Sequence, residues 1–132
     1  MEFGVFNPLM LGKPYRYAYS ALSRPGWFLF TGVVKTDLVT GEVQTYELAD
    51  GRYMSEAPFC PAEGGHAEDD GYLVTIVTDM NTNQSEVVLL DARDIAKGPV
   101  VRLLLPHRVC SGTHATWSSD RSRASTLASS KL

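Results

Sequence analysis

The chain has 132 residues, 44% of them hydrophobic and 20% charged, with a formal net charge of −3. That composition suits one globular domain and excludes a disordered or low-complexity chain. The balance of 15 acidic to 12 basic residues argues against nucleic acid, which rewards a basic face. No run reaches the roughly 18 apolar residues of a membrane-spanning helix.

The opening stretch, "MEFGVFNPLM" (1–10), is acidic at its second residue and lacks the basic flank of a secretory signal. Residues 14–23, "PYRYAYSALS", alternate aromatic and other residues as a half-buried strand does. Tyr15, Tyr17 and Tyr19 are therefore expected on one sheet face, as packing. Residues 28–38 and 42–48 are rich in β-formers and flank a turn containing Val-Thr-Gly, which predicts a hairpin. Residues 71–80 and 85–92 flank "NTNQ" and predict a second hairpin. Between the hairpins, "EDD" (68–70) reads as a solvated turn without the ligand spacing of a calcium loop. "DARDIAKG" (91–98) carries one helical turn, and residues 99–106 form a last strand with a proline at each end.

This is an all-β pattern of short strands, compatible with a sandwich, a barrel or a propeller. The strand clusters at about 14–48 and 53–104 each approach the roughly 40–45 residues of a propeller blade. Residues 118–132 are polar and Ser-rich, which predicts a disordered tail. They end in "SKL", a match to a peroxisomal address; otherwise the composition favours a soluble intracellular protein.

Chemistry-bearing residues are few. Cys60 and Cys110 are too few for a disulfide scaffold and read as small core residues. Of the 3 histidines, His66 and His107 lie in surface-like surroundings. His114, in "SGTHATW" (111–117), taken alone reads as a buried, hydrogen-bonded side chain, because one imidazole does not hold a metal. Glu56 is an acid among apolar residues and is expected to be buried and paired. Glu2 alone would be a surface charge near a fraying terminus. Phe59 and Trp117 read as core.

Three landmarks occur in order: "EFGVFNPLMLGKPYRYAYS" (2–20); "SEAPFCP" (55–61), followed by "EDDGYLVTIVTD" and "SEVVLLDARD"; and "PVVRLLLPHRVCSGTHATW" (99–117). Together they resemble the C-terminal part of the carotenoid cleavage oxygenases, a family that includes apocarotenoid and lignostilbene dioxygenases. The resemblance covers residues 2–117. It implies the C-terminal blades of a seven-bladed β-propeller, incomplete in this chain, with a four-histidine Fe(II) on the axis. It also implies O₂-dependent cleavage of a C=C bond in an apolar polyene or stilbene into two carbonyl products.

Within that resemblance His114 falls on the fourth iron ligand. Glu2 and Glu56 fall on glutamates that hold ligating imidazoles from behind. Three further histidines would have to come from outside these 132 residues, so the chain alone is expected to be inactive. The parent enzyme needs no transmembrane segment, though its surface is open to peripheral membrane contact. Departures from the family pattern are Ala57 for Pro, Cys60 for Val and Ala115 for Gly. The competing expectation is a non-catalytic β-rich remnant that binds partners through exposed strand edges; an independent sandwich is a third.

Overall fold

The computed structural model describes residues 2–110 and 112–119. Nine strands follow one another: β1 (Glu2–Val5), β2 (Tyr17–Ser23), β3 (Phe30–Asp37), β4 (Val43–Glu47), β5 (Arg52–Met54), β6 (Phe59–Pro61), β7 (Gly71–Asp79), β8 (Gln84–Asp91) and β9 (Pro99–Leu104). The described residues add two 3-10 turns, Pro8–Met10 and Ile95–Lys97; the second is the turn expected within 91–98. No helix among them is long and apolar enough to cross a membrane. The expected tail from residue 120 onward, with its "SKL", lies outside the described residues.

All pairings are antiparallel and form two meanders. β1-β2-β3-β4 is the first, and β5 and β6 pair in tandem on β7, followed by β8 and β9, to form the second. One pairing, Phe30 opposite Met54, joins them. Both predicted hairpins form, and aspartates organise their turns. Asp37 Oδ1 accepts the Val39 amide at 2.9 Å, and Asp79 Oδ1 accepts the Asn81 amide at 2.8 Å. These are short Asx turns that give the backbone donors a partner as the strand ends. In the second hairpin Asn83 takes φ +58°, a left-handed conformation that asparagine tolerates.

The two meanders stack face to face. Tyr19, Ala21, Phe30 and Val33 of the first meet Phe59, Leu73, Val77, Val88 and Leu90 of the second, all buried. Period-2 alternation produces this face, since Leu73, Thr75 and Val77 point inward while Tyr72 and Val74 do not. Fully burying an aliphatic or aromatic side chain of this size contributes about 1.5–3 kcal/mol. Polar contacts cross the interface as well. The Tyr19 hydroxyl donates to the Ala92 carbonyl at 3.0 Å, and burial pushes its phenol up, keeping it a donor. Lys35, buried on β3, donates to Asp69 at 2.8 Å and to the Arg93 carbonyl at 3.0 Å, with its ammonium 4.3 Å from the Tyr17 ring centroid.

Several expectations are corrected. "EDD" forms the expected turn at 68–69 but is half-buried rather than simply solvated, because each carboxylate has a structural partner. Glu68 Oε1 accepts the amides of Arg16 and Tyr17, both at 2.7 Å, Asp69 meets Lys35, and Asp70 Oδ2 accepts the amides of His66 and Ala67. Tyr15 lies before β2 and leaves the shared face to stack on Phe6 at 4.6 Å. Cys110 and Trp117 are exposed and Cys60 is half-buried, because the first two lie beyond β9, outside the stacked sheets.

Stranding the Lys35 ammonium should be costly. Asp69→Leu is expected to destabilise the chain by about 3–5 kcal/mol in urea unfolding, with most of it recovered by adding Lys35→Met. A loss below about 1 kcal/mol would remove the buried pair as a determinant of the interface. Acid should act through Asp37, whose carboxyl the Arg16 guanidinium holds well below the usual range. A depressed folded value stabilises above the unfolded value of about 3.9 and fades as pH falls through the folded one. Stability should therefore decline below about pH 4, with a shallower decline in Asp37→Asn, read by urea midpoints across pH.

Candidate metal centre

The site forms where the first strands of both meanders meet the chain segment beyond β9. In the second meander, β5 and β6 behave as one strand interrupted at Ser55–Pro58. Met54 pairs with Val77 and Phe59 with Leu73, so five steps on one strand face four on the other. The extra residue is a β-bulge, a device that re-aims side chains. Without it, Met54 and Phe59 would face opposite sides; with it, both enter the core and Glu56 lies between them. Ser55 and Thr75 hold the interruption. The Ser55 amide donates to the Ile76 carbonyl at 2.9 Å, and the Thr75 hydroxyl donates to the Ser55 carbonyl at 3.0 Å.

The first meander repeats the device. Glu2 pairs with Ala21 and Val5 with Tyr19, so three steps on β1 face two on β2. Phe3, inside that bulge, takes φ +51°. Each candidate glutamate thus lies in the first strand of its meander at an irregularity of the pairing, Glu56 in the break between β5 and β6. The backbone of Glu2 occupies this position; its side chain lies outside what the structure describes.

Beyond β9 the chain turns back. The Val109 amide donates to Ser85 Oγ at 2.9 Å, and its carbonyl accepts from the Thr78 hydroxyl at 3.2 Å. From there the segment reaches Glu56, whose Oε2 accepts the Ala115 amide at 2.8 Å. The same oxygen lies 3.4 Å from His114 Nδ1. The Glu56 side chain is 12% exposed and the His114 side chain 74% exposed. The Phe3 ring stands edge-on to the imidazole, with centroids 4.9 Å apart. Phe28 and Phe30 complete an aromatic cluster around Phe3.

His114 is therefore exposed rather than a buried core residue, while Glu56 is half-buried, with its Oε2 on the Ala115 amide and facing His114. With Nδ1 on the carboxylate, Nε2 is the nitrogen left for a metal. That donor chemistry fits one corner of a histidine-ligated centre. Among the described residues no cluster of three or more His, Cys, Asp or Glu could hold a metal ion. His66 and His107 are exposed and take no part in this constellation. Sequence reasoning missed Phe3; its one signal was its place in the "EFGV" stretch beside Glu2.

The sequence model of RPE65, the retinal pigment epithelial membrane protein, matches residues 1–119. The chain belongs to this carotenoid oxygenase family. The apocarotenoid-15,15'-oxygenase of Synechocystis is 35% identical over 118 residues, covering 88% of this chain and 24% of the relative. Lignostilbene-alpha,beta-dioxygenase isozyme III of Sphingomonas paucimobilis is 30% identical over 127 residues, covering 88% and 26%. The solved structure of cobalt-substituted Synechocystis apocarotenoid oxygenase superposes with a TM-score of 0.81 at 33% identity, over 89% of this chain and 25% of that one. The chain thus spans about a quarter of the length of the curated relatives it matches. The two meanders are blades of the family's β-propeller architecture.

Removing the Glu56 carboxylate should release the His114 segment while leaving the sheets intact. In Glu56→Ala, hydrogen exchange at the Ala115 amide is expected to accelerate by about tenfold or more, the worth of one hydrogen bond to a charged group. Exchange at Leu73 and Val88 should be unchanged. Equal protection of Ala115 in both proteins would contradict the tether.

Proposed function

We propose that this chain supplies one corner of a non-haem Fe(II) centre in an oxygenase that cleaves a C=C bond of a carotenoid, apocarotenoid or stilbene. The observation that carries the reading is the double use of Glu56 Oε2, which accepts the Ala115 amide and faces His114 Nδ1. A carboxylate facing Nδ1 would orient the imidazole and leave Nε2 as the nitrogen turned to a metal. Glu2, at the matching bulge of β1, would serve another imidazole in the same manner. The iron, when bound, would supply O₂ activation through an open coordination position. The remaining work falls to the chain. The bulges place the carboxylates, and the cluster of Phe3, Phe28 and Phe30 gives an apolar flank that limits water and suits a flat, conjugated substrate.

A second reading, a non-catalytic module that binds partners by strand pairing, draws on β9. This edge strand exposes Val100, Leu103 and Leu104, and such edges pair readily with other chains.

A graft separates the two. Residues 2–119 replace the matching segment of the Synechocystis apocarotenoid oxygenase, and bound iron is measured in the purified protein. The expected result is near-stoichiometric iron, lowered more than about tenfold by His114→Ala and left alone by His66→Ala. The isolated 132-residue chain should retain little iron. A graft that keeps its iron with His114→Ala would reject the proposed corner.

A further inference from the structure

Phe3 combines two features that are unusual together. Its backbone sits at φ +51°, a left-handed conformation that a bulky side chain rarely adopts. Strain of this kind persists only where the surroundings over-determine it. Here the surroundings are the β1 bulge and a set of rings. Phe3 meets Phe30 at 5.1 Å and 75°, Phe28 at 6.2 Å and 78°, and the His114 imidazole at 4.9 Å and 77°. All three are edge-to-face contacts, the arrangement that aromatic quadrupoles favour.

The His114 side chain is otherwise open to solvent. Its contact with Glu56 engages a single ring atom, Nδ1. One such contact fixes the distance but leaves the ring free to rock about the line joining nitrogen and oxygen. A second contact, in another plane, removes that freedom. Phe3 supplies it, and Phe28 and Phe30 hold the Phe3 ring in place.

We propose that Phe3 is a positioning residue for His114, its ring held by the left-handed bulge of β1 so that it fixes the imidazole plane against Glu56. The purpose of this arrangement rests on the reading of His114 as a metal ligand. The contact itself does not, and it can be measured on the metal-free chain. The first measurement uses the isotope-labelled chain as it stands, by NMR. Ring-to-ring nuclear Overhauser effects between Phe3 and His114 are expected, with His114 ring resonances displaced from those of free histidine.

Phe3→Leu should return those resonances toward free values and raise fast imidazole motion, while Val33 and Leu73 amides stay protected. Phe3→Tyr, which keeps the ring, should restore the displacement. In the iron-binding graft, Phe3→Leu should weaken Co(II) binding by about threefold to tenfold, the range of an aromatic pair. Absent ring-to-ring effects in the unsubstituted chain would overturn the proposal even if Phe3→Leu failed to fold. Unchanged His114 resonances in a folded Phe3→Leu chain would overturn it as well. Ring contacts present alongside iron that survives His114→Ala would reject the metal reading and leave the positioning intact.

Discussion

An ammonium group between two stacked sheets has to be met from several directions, and Lys35 is met from three. Asp69 supplies charge, the Arg93 carbonyl supplies a second acceptor, and the Tyr17 ring supplies a face. Two of these partners come from the other meander, so the lysine fixes how one sheet sits on the other. A one-residue slip in β3 would turn Lys35 to the opposite face and leave Asp69 buried without a partner. The apolar residues alone would tolerate more sliding, since hydrophobic contact is non-directional. The relative placement of β1 and of the β5–β6 strand, and hence of Phe3 and Glu56, follows from this register.

The bulges then convert a packing scaffold into a site. A regular strand spends every second residue on the core. Inserting one residue lets Met54 and Phe59 share the core although they are five apart, and it gives Glu56 a position that serves neither sheet face. The carboxylate is thereby largely shielded yet still reaches a backbone amide and an imidazole on another segment. The same register shift recurs on β1, where it accompanies the left-handed backbone of Phe3 and the contact of its ring with His114.

Much of this was legible in the sequence, and the illegible part has a common cause. β2, β3, β4, β7, β8 and β9 announced themselves through alternation and turn residues, since those signals are local. β1 did not, having four residues and a glycine, and β5 and β6 are too short on either side of their interruption. The roles of Glu68 and Asp69 depend on Arg16, Tyr17 and Lys35, between 34 and 52 positions away. No periodicity reports a partner at that distance. The ordered landmarks offered Glu56 as a partner of a ligating imidazole but left open which one; that it meets the His114 segment, 59 positions away, is visible only in the folded chain. Trp117 shows the reverse error. Its type suggests core, but its place beyond β9 leaves it exposed.

The attachment of the His114 segment bears on timing. Val109 is anchored on the buried hydroxyls of Thr78 and Ser85, so the stretch from there to Ala115 is short and its closure entropy small. Against that stands a hydrogen bond to a carboxylate, worth about 1.5–3 kcal/mol. With a small closure cost the bond holds the segment on the second meander, and the Phe3–His114 ring contact ties it to the first, so the segment seats only after both meanders have folded and met.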